Sequence, residues 1–253
     1  PAATFIAYNY NTPVDVVGFE KEAKRILNEV ESECGWMYET NHTNGLTGKI
    51  NHILWSDVFT CPECANELVF WDVAVEYNKG IILDTFSCNN CSATLNKRTL
   101  ERAWATKYDA ISSTTLRLAK QVPVLINYSV GTKRFEKAPD QQDFLKLEHI
   151  ELKDIPHWYP TDPLPDGYNT AQPIKSHGIT HIHLFFTKSG LWELAAIWEK
   201  ANRHDRISKC VQLSHTAASS YVSKLRRFRA DKKGGGPLAG TLYVASLITP
   251  PNP

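Results

Sequence analysis

The sequence predicts an α+β fold, and three kinds of pattern support this expectation. Apolar residues recur at helical spacing in some segments and alternate with polar residues in others. Two C-x-x-C pairs, Cys61/Cys64 and Cys88/Cys91, flank a segment with strand character. The chain has 253 residues, of which 42% are hydrophobic and 22% charged, so it can bury a real core. We therefore expect a soluble protein of two or three subdomains.

The periodicity gives an order of elements along the chain. We expect helices over 1–11, 12–34, 100–105, 140–152, 191–202 and 207–221. We expect strands over 49–59, 122–129, 133–137, 178–186 and 240–247, with a proline-rich surface loop over 156–173. In the helices, Leu27 belongs to the apolar stripe of the second helix, and Phe144, Leu147 and Ile150 are expected to face inward. Pro123 should lie at the start of its strand, because proline cannot donate to a sheet.

The two cysteine pairs predict a metal site. A two-residue spacing lets both sulfurs of a pair reach one ion, and four thiolates can complete a tetrahedron around Zn²⁺. Between the pairs, an alternating strand over Trp71–Tyr77, a turn at Asn78–Gly80 and a returning strand over Ile81–Phe86 predict a β-hairpin. This arrangement indicates a zinc ribbon. Four sulfurs leave no position for water or substrate, so the zinc is expected to be structural.

Other uses of the cysteines are less favoured. Disulfides would need an oxidising compartment, and no signal peptide pattern precedes them, which points to a cytoplasmic protein. A redox motif needs one pair, whereas two are present. A zinc deaminase places its His-x-Glu element before a Pro-Cys-x-x-Cys, an order that is absent. Cys34 and Cys210 are expected to lie outside the site. His181 and His183 share a predicted strand face, and a hydrogen-bonding role is favoured over a metal pair.

Charge is unevenly distributed despite a net value of +1. Residues 203–233 contain nine Lys or Arg and two Asp, which makes the remainder of the chain net acidic. Aromatic residues lie among the charges, a combination that suits nucleic-acid binding. The candidate contacts are Tyr221, Lys224, Arg226, Arg227, Phe228 and Arg229. The arginines could contact phosphates or guanines, and Tyr221 or Phe228 could stack on a base. A solvated basic face is the alternative.

Several blocks resemble the region between the cofactor-binding and catalytic motifs of zinc-ribbon-containing bacterial DNA methyltransferases that methylate adenine N6 or cytosine N4. The resemblance rests on 1–11, 55–59, 122–128, 177–186 and 240–244, in this order around the cysteine pairs. These 253 residues contain no Phe-x-Gly-x-Gly loop, and Asn127-Tyr128 lacks the two prolines of the catalytic motif.

The resemblance implies a piece of a larger restriction-modification enzyme that reads the target DNA. Its partners would be double-stranded DNA and the flanking catalytic halves, and S-adenosylmethionine would bind only in the parent enzyme. The chain alone would not be catalytic. The expected divisions are an N-terminal helical segment (1–48), the zinc ribbon (49–105) and an α/β recognition region (106–253). A zinc-ribbon module for protein interaction or scaffolding remains the alternative.

Overall fold

The computed structural model describes residues 2–202, 205–238 and 240–252, and it is a mixed α+β structure with antiparallel sheets. The helices are α1 (Ala2–Asn11), α2 (Val16–Cys34), α3 (Phe70–Ala74), α4 (Gln141–Leu152), α5 (Tyr168–His177), α6 (Lys188–Lys200) and α7 (Arg206–Val222). The strands are β1 (Glu39–Asn41), β2 (Thr47–Thr60), β3 (Glu67–Val69), β4 (Val75–Glu76), β5 (Ile81–Ile82), β6 (Thr85–Ser87), β7 (Thr94–Asn96), β8 (Glu101–Arg102), β9 (Trp104–Asp109), β10 (Thr114–Ala119), β11 (Gln121–Val130), β12 (Lys133–Lys137) and β13 (Leu247–Ile248). Within these ranges, no helix has the length and apolarity that a bilayer crossing requires.

The 14-residue strand β2 organises the whole sheet. It pairs with β11 along one edge, and β12 follows β11 outward. Its other edge is shared by β1 near the start of the strand and β13 further along, while β3 and β8 pair with its last residues. Ile50 of β2 lies in a core formed with the long helices, and Phe59 lies in a second core around the cysteine pairs. The strand therefore joins the two cores through one rigid backbone.

Several predicted elements are confirmed. β2, β12, α4, α6 and α7 occupy the expected segments, and β11 is a central strand. Asp140 caps α4 by accepting from the backbone of Gln142 and Asp143. Pro123 is tolerated inside β11 because the register with β2 shifts between Pro123 and Leu125. The missing amide thus falls at a bulge.

Some inward-facing assignments were wrong. Phe144 is 48% exposed on α4 and Leu27 is 56% exposed on α2, whereas Ile26, Val30 and Ile150 are buried. The buried stripe of α2 is narrower than the run of apolar residues because the helix packs mainly against α6, α7 and the short 3-10 turn that follows it. Apolar character alone therefore overestimated the width of the buried face.

The predicted strand over Trp71–Tyr77 is wrong in its first half. Residues Phe70–Ala74 form α3, with Phe70 and Ala74 buried on one side at a helical spacing of four. The Ser56 hydroxyl accepts a hydrogen bond from the Trp71 backbone N–H and so satisfies one free amide at the helix start. Only β4 and β5 remain of the expected hairpin, with Gly80 in the left-handed conformation (φ 69°) at its turn.

Three other assignments were also wrong. The helix expected over 100–105 is instead β8 and the start of β9, because Arg102 pairs with the end of β2. The strand expected over 178–186 is a 3-10 turn, Ile182–Phe185. The strand expected over 240–247 contributes only β13, Leu247–Ile248. In the first case tertiary pairing overrides the local pattern.

A buried charge cluster fixes β2 where the two cores meet. The Asp57 side chain is fully buried and accepts hydrogen bonds from Arg102 (2.8 Å) and Gln121 (2.9 Å). His177 of α5 lies 3.4 Å from the same carboxylate. Although burial favours the neutral acid, the His177 and Arg102 interactions lower the pKa of Asp57 to about 2. The carboxylate is therefore charged in the folded protein and links β2, β8, β11 and α5.

We predict that Asp57→Asn lowers the free energy of unfolding by about 3 kcal/mol, because Arg102 loses its buried partner. The folded pKa of Asp57 is about 2, below the ordinary 3.8, so its contribution is present above pH 4 and is lost as the pH falls toward 2. The lowered pKa corresponds to about 2 kcal/mol of pH-dependent stability. Denaturant titrations between pH 2 and 7 measure both effects, with the exposed Asp166→Asn as control. Equal acid sensitivity of wild type and Asp57→Asn would contradict the assignment.

Candidate metal centre and adjoining basic segment

The four cysteines of the two pairs converge on one point. Their sulfur atoms all lie within 4.8 Å of one another. The closest approaches join the two pairs, with 3.8 Å between the Sγ atoms of Cys61 and Cys91 and 3.8 Å between those of Cys64 and Cys88. A tetrahedral ion with metal–sulfur bonds of about 2.3 Å requires sulfurs about 3.8 Å apart. The geometry therefore fits a metal ion bound by four thiolates.

The two pairs have the same backbone hydrogen-bond pattern. In the first, Cys61 N–H donates to Asn66 O (2.9 Å) and Ala65 N–H donates to Cys61 O (2.9 Å). In the second, Cys88 N–H donates to Ala93 O (2.9 Å) and Ser92 N–H donates to Cys88 O (3.0 Å). We call these two turns the knuckles. The repeated pattern gives the two pairs of sulfurs equivalent backbone supports.

Each knuckle contains a residue in an unfavourable conformation. The residue after the second cysteine is left-handed in both, with φ of 58° at Ala65 and 61° at Ser92. A side chain raises the cost of this conformation by roughly 1 kcal/mol or more. Because both knuckles adopt the same costly conformation at equivalent positions, we infer that the placement of the sulfurs requires it.

The thiols influence one another's ionisation. Hydrogen bonds from the Asn90 side chain and the Asn66 backbone lower the pKa of Cys64 to about 6. The backbone N–H groups of Cys91 and Asn90 lower the pKa of Cys88. At Cys91, the Ala93 backbone favours the thiolate, but the neighbouring thiols outweigh it and raise the pKa to about 12. Full deprotonation of the four sulfurs therefore needs a cation among them.

The knuckles belong to a small module with its own core. β2 leads directly into Cys61, and β6 and β7 flank the second knuckle. Phe59, Phe70 and Phe86 form successive edge-to-face ring contacts with centroids 5.7 and 6.0 Å apart. Such contacts stabilise beyond the area they bury. We call residues 58–102 the cysteine module.

The basic segment Lys224–Arg229 begins in a turn, where Arg226 N–H donates to Ser223 O (3.1 Å), and its second half, Arg227–Arg229, is extended and fixed on both sides. Phe228 N–H donates to Leu247 O (2.8 Å) on one side, and Arg229 N–H donates to Gly234 O (2.7 Å) on the other. Gly235 packs so closely that an added Cβ would lie 1.7 Å from the carbonyl oxygen of Arg227. The glycine-rich stretch is thus packed against the segment, and alternate side chains of the segment face opposite ways.

The predicted nucleic-acid contacts fall into two groups. Arg227 and Arg229 line an open pocket, and Tyr221 is 54% exposed on the last turn of α7. The amine of Lys224 is enclosed by protein, which lowers its pKa to about 8. Burial also lowers the pKa of Arg226, whose Nε has no hydrogen-bond partner among the described residues. Lys224 and Arg226 are therefore less accessible to a phosphate than Arg227 and Arg229.

Phe228 is an anchor between the basic segment and the cysteine module. It is only 6% exposed, and its ring lies 6.1 Å from Trp71 and 6.4 Å from Tyr77 between centroids. The ring is therefore buried among protein groups and is not open to a base. The Gly80 turn also packs here, because an added Cβ would lie 3.1 Å from the Ala230 carbonyl oxygen.

The pocket beside the segment contains two residues that the sequence analysis missed. Lys97 enters from the cysteine module and Tyr243 from the stretch before β13. Lys97 is 130 positions from Arg227 in the sequence, and only the fold brings both to one pocket, so no spacing in the sequence identifies it. The pocket has a volume of about 330 Å³.

The histidine pair does not form a second metal centre. Among the described residues, Cys61, Cys64, Cys88 and Cys91 are the one group of three or more potential ligands whose donor atoms come together. His183 faces Asp109 (3.3 Å), and the ring centroids of His181 and His183 are 5.6 Å apart. Cys34 and Cys210 are unbonded and lie outside the cysteine site.

No family model, curated protein or solved structure matches this chain.

We predict that Cys64→Ser abolishes stoichiometric metal binding and unfolds at least the cysteine module. Metal binding at four thiolates contributes on the order of 10 kcal/mol, comparable with the stability of a whole domain. Elemental analysis and circular dichroism measure the two effects, with Cys210→Ser as the matched control. Because the thiols must lose protons, the apparent affinity should fall as the pH is lowered. Unchanged metal content in Cys64→Ser would refute the site.

We predict that Ala65→Val destabilises the metal-loaded protein by more than about 1 kcal/mol, because a β-branched residue resists the left-handed conformation. Ala65→Gly should be neutral or stabilising. The exposed strand residue Ala105 provides a control, since valine is favourable there. Thermal unfolding with metal in excess ranks the variants. A stability of Ala65→Val equal to wild type would mean that the knuckle relaxes freely.

Proposed function

We propose that this chain is the DNA-recognition region of a site-specific DNA methyltransferase, with a structural zinc ion at the four cysteines. Zinc is the metal that best suits a closed site of four sulfurs. Its position at the end of β2 favours the structural role that zinc has in a zinc ribbon. The zinc holds the cysteine module in shape and takes no part in methyl transfer. S-adenosylmethionine and the methyl-transfer residues belong to the flanking catalytic halves of the parent enzyme.

One observation carries the DNA-binding part of the proposal. The cysteine module and the basic segment meet at an open pocket that receives Lys97 from one and Arg227 and Arg229 from the other. Phosphate binding needs fixed cations at the surface, and arginine matches the geometry of a phosphate. The anchoring of Phe228 against Trp71 keeps these cations in place. An enzyme that extrudes its target base also needs a separate surface that holds the surrounding duplex.

A protein-interaction module is the second candidate, and helix α1 favours it. The sequence of α1 contains no charged residue, and Ile6 is 46% and Tyr10 80% exposed. Exposed apolar and aromatic residues of this kind are typical of protein interfaces. In the proposed parent enzyme this helix would contact a catalytic half. The two candidate functions therefore differ mainly in whether DNA is also bound.

We predict that replacing Arg227 and Arg229 by Gln reduces the slope of log affinity against log salt concentration by about two units, because each lost phosphate contact releases fewer counterions. The measurement is a salt titration of duplex binding by fluorescence anisotropy, with both the chain and the parent enzyme. Zinc content verifies that the cysteine module is intact.

The matched control replaces Lys21 and Lys24, which are exposed on α2, a helix whose buried residues pack in the other core. It removes the same formal charge from a different surface. Equal slopes for the arginine variant and the wild type would exclude the basic segment as a DNA contact. Equal reductions for both variants would indicate attraction by net charge only. Metal-loaded protein that binds no duplex, even in the parent enzyme, would favour the protein-interaction function.

A further inference from the structure

The pocket between the cysteine module and the basic segment has the composition of an anion site. It is lined by three cations, Lys97, Arg227 and Arg229, and by one carboxylate, Asp231. Asp231 is already bound to Arg229 at 2.6 Å. Phe70 and Tyr243 add aromatic groups to the wall. A volume of about 330 Å³ lies at the lower end of the range for small-ligand sites.

Lys97 is the most informative of these cations. Its amine lies 4.9 Å from the centroid of the Phe70 ring. The side chain is exposed by surface area, yet the protein around the amine lowers its pKa through desolvation. None of the described residues forms an ion pair with it; Asp57 acts on it only at a distance and is bound to Arg102 and Gln121. A partly desolvated cation without an adjacent anion is destabilising until an anion arrives.

Arg227 is in a similar position. Its backbone is fixed by the bridge to Ile248 and by the close packing of Gly235. Across the described residues, its guanidinium has no carboxylate partner, in contrast with Arg229. The pocket thus presents two uncompensated cations from two separate parts of the chain. Because the backbone at Arg227 is already fixed, phosphate binding there costs less conformational entropy than binding by a flexible segment.

We propose that this pocket binds the phosphate group of a nucleotide, with Lys97 and Arg227 as the two cationic ligands. The phosphate can come from a nucleic-acid backbone or from a free mononucleotide. Its assignment to DNA rests on the proposed function, whereas the phosphate site itself depends only on the pocket. Since Lys97 belongs to the cysteine module, phosphate binding requires that the module be folded around its metal.

The test compares Lys97→Gln with Arg98→Gln in the metal-loaded protein. Arg98 is the exposed neighbour in the same 3-10 turn and does not line the pocket. Lys97→Arg keeps the charge and serves as a rescue variant. Two readouts are used. One is the salt dependence of duplex binding, and the other is protection of the Lys97 amine from acetylation, measured by mass spectrometry with inorganic phosphate, deoxyadenosine 5′-monophosphate or duplex DNA as the probe.

We expect Lys97→Gln to weaken duplex binding about tenfold and to lower the salt slope by about one unit, with little effect of Arg98→Gln. Duplex or mononucleotide should protect Lys97 but not Lys21. Duplex binding that is unaffected by Lys97→Gln and leaves Lys97 unprotected would overturn this inference and leave the proposed function standing. Protection by the mononucleotide without any duplex binding would support the phosphate site and reject the proposed function. No protection by any probe would overturn the inference.

Discussion

The convergence of four thiols at the end of β2 is the constraint on which the rest of the structure depends. Their sulfurs lie within 4.8 Å of one another, so only a cation can keep all of them deprotonated there. Each knuckle also carries a residue, Ala65 or Ser92, in the left-handed conformation. The module around them is too small to offset these costs by apolar burial alone. An ion bound at the four thiols would supply the missing stabilisation, and the shape of the module would then be conditional on the metal.

Aromatic contacts connect the cysteine module to the basic segment. Phe70 begins α3 and packs between Phe59 and Phe86, and the next residue, Trp71, contacts Phe228. The cations on either side of Phe228 are therefore positioned by the same core that surrounds the cysteines. A basic segment in a disordered chain would lose conformational freedom when it binds an anion, whereas this one has already lost it on folding. The cysteine module thus helps to set where the cations of the basic segment lie.

The sequence identified the four cysteines that converge, because two-residue spacing lets both sulfurs of a pair reach one ion. It also identified the long helices and β11, because their periodicity is strong. It failed where a residue is placed by distant partners. Phe228 was expected to be available to a base, yet Trp71 and Tyr77 enclose it. The alternation over 71–77 concealed α3, whose start is capped by Ser56. Lys97 was missed because its relation to Arg227 exists only after the module folds.

Arg229 is paired with Asp231, whereas Lys97 and Arg227 have no carboxylate partner among the described residues. Arg229 donates two hydrogen bonds to this carboxylate, so a phosphate must displace or share a bound anion there. Lys97 and Arg227 meet no such competition among the described residues. At the proposed phosphate site, the first contact should therefore form at Lys97 and Arg227, and Arg229 adds its contact only when Asp231 is displaced or shared. Because both partners of that ion pair are half-exposed, the pair itself contributes little stability, and its larger effect is to hold the Arg229 guanidinium at the rim of the pocket.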